Sequence, residues 1–173
     1  MRTLAKIVGA ILVVLVLLLV AVRVTGFSPI GNVPGPGNYP GLWLNGTVVK
    51  TPVTDWSFVT QYKTDKLETR TWYGIPHSVT TGYILQGGHL YITSMFAKGV
   101  HFPDGKSWVN NVVRDPHVRL KFGDNLYECT LSHVTDHDER AAVLGQRAIE
   151  NPHLLAEDTT DGPVLNLFRV QSE

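Results

Sequence analysis

Sixteen consecutive apolar residues at positions 7–22 (IVGAILVVLVLLLVAV), bracketed by Lys6 and Arg23, constrain this 173-residue chain more than any other feature. A membrane span needs about 20 apolar residues. Residues 4–24 reach that length once Lys6 and Arg23 extend their charged ends toward the headgroups. Residues 1–25 are therefore expected to form an uncleaved, single-pass membrane anchor. A signal peptide shares the charged start and apolar middle, but no small-x-small cleavage signal stands between Ala21 and Phe27. Arg2, Lys6 and the terminal amine precede the run. The positive-inside rule then keeps the N-terminus cytoplasmic and puts the C-terminal domain on the non-cytoplasmic side, periplasmic or extracellular.

Residues 26–41 carry four prolines and five glycines, a composition suited to an extended tether. Residues 42–173 are long enough for one domain. The whole chain has 15 basic and 15 acidic side chains; with Arg2, Lys6 and Arg23 assigned to the anchor, the body is slightly acidic. That excludes a general nucleic-acid binder, which needs a cationic surplus, and predicts no strong attraction to anionic lipid. Cys129 is the only cysteine, so one chain can build neither a disulfide nor a cysteine-rich zinc site. The seven histidines show no HExxH or HxH spacing, and a predicted strand-to-helix boundary separates His133 from His137. No metal site is expected.

Short alternating runs separated by glycine turns mark the body as mainly β. Residues 77–85 place Val79, Thr81, Tyr83 and Leu85 on one side, and Gly87-Gly88 turns them into a second strand at 89–94. Another hairpin joins 117–122 (HVRLKF) to 125–134 through Gly123-Asp124. Helical spacing at Trp108, Val112 and Val113 predicts a short helix ending before Asp115-Pro116. Thr135, with Asp138 three residues on, predicts a helix start whose body runs through Ala141, Leu144 and Ile149 to Pro152. The last strand is expected at 163–170. The sum is a six-stranded antiparallel barrel with two or three short helices, preceded by one transmembrane helix.

From about residue 67 to 170 the order of elements and phrases resembles the FMN-binding split-barrel superfamily, the pyridoxamine phosphate oxidase-like and deazaflavin-dependent reductase group. The phrases are Glu68-Thr69-Arg70, Pro76-His77-Ser78-Val79, Gly88-His89-Leu90-Tyr91-Ile92-Thr93-Ser94, Lys106-Ser107-Trp108 and Asp115-Pro116-His117-Val118-Arg119-Leu120. The resemblance implies an FMN or deazaflavin cofactor. Thr93, Ser94 and Lys106 would hold the phosphate, Arg70 and His77, Ser78, Val79 and Thr80 would lie beside the ring, and Trp108 would border it. It names no catalytic residue, since the cofactor carries the electron chemistry. It also implies a homodimer with the cofactor at the interface.

Residues 95–105 (MFAKGVHFPDG) are longer than the connection usual in that superfamily, and Met95, Phe96, Val100 and Phe102 are able to fill the cleft instead. This motivates an alternative: a cofactor-free accessory or assembly subunit of a membrane complex that keeps the barrel. Haem is a third expectation, because some members of the superfamily bind it.

Overall fold

The computed structural model describes residues 2–27, 40–156 and 162–173. Most of the expected tether lies outside the described residues. Helix α1 (Arg2–Thr25) carries the apolar run, and its stretch Lys6–Thr25 is long and apolar enough to cross a membrane. The body contains strands β1 (Thr47–Val48), β2 (Asp65–Arg70), β3 (Pro76–Gln86), β4 (His89–Phe96), β5 (His117–Phe122), β6 (Asn125–His133) and β7 (Val164–Ser172). Helix α2 (Ser107–Arg114) separates β4 from β5, and α3 (His137–Leu144) and α4 (Gln146–Glu150) follow β6.

Six of these strands close on themselves in the order β6-β5-β2-β3-β4-β7, and β7 pairs back onto β6. All six pairings are antiparallel, and closure removes the exposed edges. The two-residue β1 adds to β6 in parallel, outside the ring. Alternation decides which side chains enter the barrel. Leu67, Leu90, Ile92, Phe96, Val118, Leu120, Phe122, Cys129, Leu131 and Phe168 form its core, joined by Trp108, Val109 and Val112 from α2. A second cluster lies on the outer wall, where Val143, Leu144, Ala148 and Leu154 cover Tyr91, Leu165 and Leu167.

The expected continuous helix after Thr135 is corrected in two places. Asp136 is the N-cap, its carboxylate accepting from the Glu139 amide at 2.8 Å. Gly145, at φ +51°, then breaks the run into α3 and α4.

Candidate functional site

The register of β3 creates the feature around which the expected site residues gather. Its first half, residues 76–81, pairs with β2, and its second half, 82–86, pairs with β4. The β3–β4 ladder stops at Gly82–Thr93, beyond which β4 pairs only with β7. The two strands part, and α2 packs against β2 and β3 with Trp108, Val109 and Val112 buried in the core. Asn111 of α2 donates to Thr69 Oγ1 at 3.0 Å.

Neighbouring residues on a strand face opposite ways, which separates several expected partners. Ser94 is buried inside the barrel, paired in register with Asn166, and its Oγ has no hydrogen-bond partner. Thr93 points outward and donates to the Gly82 carbonyl at 2.9 Å. Val79 packs against the core, while Thr80 shares the outer face with Gly82. The Ser78 hydroxyl is engaged, donating to the Leu42 carbonyl at 3.1 Å. His77 is half-buried, its Nε2 has no partner, and burial, with the Arg23 charge second, pushes its pKa below the ordinary imidazole value.

Lys106 is exposed as the N-cap of α2 and has no carboxylate partner among the described residues. The helix start beside it leaves the Ser107 and Trp108 amides ahead of the first intrahelical bond. Trp108 itself is only 3% exposed, with its ring 5.2 Å from that of Phe168. It is a core residue and offers no open face to a ring. Of the segment expected to fill the cleft, Phe96 is buried, Val100 and Phe102 pack against the core, and Met95 points out.

Arg70 ends β2 in a shallow cleft of about 120 Å3 shared with Glu68, Pro76, His117, Arg119 and Glu128. Its carbonyl accepts from the Arg114 guanidinium. Arg119 lies 3.6 Å from Glu68 and 2.5 Å from Glu128, so the charges in this cleft largely satisfy one another.

A larger concavity of about 420 Å3, which sequence reasoning missed, is lined by Phe102, His133, Val134, Thr135, Arg140, Ala156 and Asn166. Phe102 lies flat on His133, centroids 4.1 Å apart, and His133 Nε2 is 3.0 Å from Asn166 Oδ1. Burial holds the His133 pKa below its ordinary value. Arg140 is buried and donates to the carbonyls of Val134, Leu154 and Leu165.

These observations define a class: a closed six-stranded antiparallel barrel, parted between two strands, behind an apolar N-terminal helix. The chain matches no protein-family model and no curated protein. Solved structures similar to this chain include the following three. The haem storage protein HutZ from Vibrio cholerae is 16% identical, with 67% of this chain and 85% of that one covered at a TM-score of 0.47. A Clostridium acetobutylicum protein of the pyridoxinephosphate oxidase family, related to general stress protein 26, is 14% identical over 66% of this chain and 78% of that one (TM-score 0.46). An F420-H2-dependent reductase (FDR-A) is 20% identical over 63% and 94% (TM-score 0.44). The strand register, not these likenesses, defines the barrel.

Proposed function

We propose that the protein is a membrane-anchored oxidoreductase that seats a flavin or deazaflavin on the outer face of β3. It comprises an anchor (1–25), a tether (26–41) and a split-barrel domain (42–173) held on the non-cytoplasmic side. The observation that carries the reading is the parting of β3 from β4 at Gly82–Thr93, with an exposed Lys106, which has no carboxylate partner among the described residues, opening helix α2. A phosphate needs a fixed cation and several donors. Lys106 supplies the first, and the Ser107 and Trp108 amides with the Thr80 hydroxyl supply the second. The Thr93 hydrogen is committed to Gly82, so Thr93 offers the phosphate no donor.

Bound there, the ring would supply the hydride or electron transfer. The chain's part is to hold the phosphate and align the ring along the β3 backbone. The barrel interior is packed with Phe96 and Trp108, so the ring lies outside it. An outer face encloses a ring only when a second copy covers it, which makes a homodimer part of the proposal. The full chain purified in detergent should carry, or take up from added FMN or deazaflavin, a visible absorbance that Lys106→Ala abolishes without shifting the thermal transition. Protein that stays colourless with either cofactor overturns the reading, and a Soret band replaces it with haem.

One observation favours a second reading as a cofactor-free accessory subunit. Phe96, Phe102 and Trp108 close the barrel from within, and the chain leaving the anchor occupies Ser78. A colourless chain that co-purifies with a stoichiometric membrane partner would establish it instead.

A further inference from the structure

The chain leaving α1 does not swing free of the barrel. The Val24 carbonyl accepts from the Leu42 amide at 3.2 Å, the Leu42 carbonyl accepts from Ser78 Oγ, and the Leu44 amide donates to Glu68 Oε2 at 2.5 Å. These bonds fix the end of the apolar helix against β2 and β3. Val24 is linked through Leu42 to Ser78, and the neighbouring Arg23 acts electrostatically on His77. The end of the helix therefore stands beside the start of β3, a few residues from the β2–β3 turn.

That turn, residues 71–75, carries three exposed apolar side chains. Trp72 is 79% exposed and Tyr73 56%, their rings edge to face with centroids 5.2 Å apart, and Ile75 is exposed beside them. The backbone is locked for the display. Thr71 Oγ1 donates to the Ile75 carbonyl at 2.5 Å, the Gly74 amide donates to the Thr71 carbonyl at 3.0 Å, and Gly74 takes φ +81°. Arg70 and Arg114 stand immediately behind it. Phe27 is exposed just beyond the helix end, and Trp43, 48% exposed, follows Leu42, whose amide bonds to Val24. Exposed aromatic rings backed by arginines suit a membrane interface, where a ring sits at headgroup depth and a cation reaches phosphate.

We propose that the Trp72-Tyr73-Ile75 turn is a second membrane contact, seated in the interface of the bilayer that α1 crosses, so that the barrel rests on the membrane in one orientation. The proposal rests on the reading of α1 as a span. Its consequence is that the outer face of β3 stands at a set height above the lipid, and a substrate reaches it sideways from the interface as well as from the aqueous phase.

The test uses the full chain in vesicles of zwitterionic phosphatidylcholine, a fraction of it brominated high on the acyl chain. In a Trp43→Phe background the remaining Trp56 and Trp108 are buried in the core, so Trp72 is the reporter. The expected result is emission quenched by the brominated lipid and not by aqueous iodide, with that quenching lost when Trp72→Phe is added. Quenching by iodide alone, in protein that stays with the vesicles through alkaline carbonate, overturns the second contact and leaves the span intact. Quenching by neither reagent means a second copy covers the turn, and also overturns it. Release by carbonate overturns the span itself, and with it the inference.

Discussion

Asn111, on the helix that plugs the barrel, donates through Nδ2 to Oγ1 of Thr69 on β2 at 3.0 Å, and both side chains are buried. Thr69 Oγ1 in turn donates to the His77 carbonyl at 3.2 Å. A single relay therefore ties α2, β2 and the β2-paired half of β3 together. Asn111→Ala removes one partner and leaves a void. It should lower the unfolding free energy by about 1–3 kcal/mol, read from urea denaturation. Thr69→Val alone should also destabilise, and the double variant should cost less than the two single costs added, because both remove the same bond.

Asp65 gives the barrel an unusual dependence on pH. It is fully buried on β2, its Oδ2 accepting from Thr81 Oγ1 at 2.7 Å while Oδ1 has no partner. Burial pushes its pKa up from 3.8 to about 6. The folded chain therefore holds the Asp65 proton more tightly than the unfolded chain does. The resulting stability is fully present below pH ~4 and is lost as pH rises through ~6, by on the order of 3 kcal/mol. Asp65→Asn should abolish this component, so the difference between wild-type and variant stability measured from pH 4 to 7 isolates it from the other carboxylates.

His133 should report on the cavity beneath β7. Its imidazole is shielded by Phe102, stacked at 4.1 Å, and burial lowers its pKa. The folded state thus favours neutral His133, a contribution present above the unfolded pKa and lost as pH falls. Phe102→Ala admits water to the ring and should move the His133 pKa back toward 6.5 in an NMR titration. The same change enlarges the cavity and should destabilise the barrel by about 3 kcal/mol or more.

Local alternation made the hairpins legible. The strand at 117–122 and the Gly87-Gly88 and Gly123-Asp124 turns stand where the sequence puts them. The same period, applied strictly, separates Thr93 from Ser94 and His77 from Ser78, since adjacent strand residues cannot serve one ligand from one face. The Asp136 cap also had a local signal, Glu139 three residues on, although Thr135 with Asp138 offered a competing one. The barrel followed from the strand count and hairpins, but which strands pair to close it had no local signal. The β6–β7 and β4–β7 ladders bring His133, Asn166 and Phe102 together from three distant segments, and only the closed ring joins them. The burial of Trp108 was hidden for the same reason. Its helical spacing marks an apolar face without saying whether that face meets a cofactor or the protein's own Phe168.

Gly105 links the two halves of the functional reading, because it stands just before Lys106 and directly against Phe96. A Cβ built there would lie 2.6 Å from the Phe96 ring, closer than real contacts allow. Its backbone needs no left-handed conformation, so the constraint is space alone. Phe96 is 1% exposed and wedged among Trp108, Phe102 and Phe168, which leaves its ring little room to retreat. Gly105→Ala must therefore displace either the aromatic plug or the start of α2, at about 1–3 kcal/mol. If the helix start yields, Lys106 and the Ser107 amide move with it. Loss of added-FMN absorbance should then accompany a modest drop in thermal midpoint, whereas Met95→Ala, at an exposed site on the same segment, should change neither. Spectrophotometric titration of the two variants beside the wild type checks both outcomes.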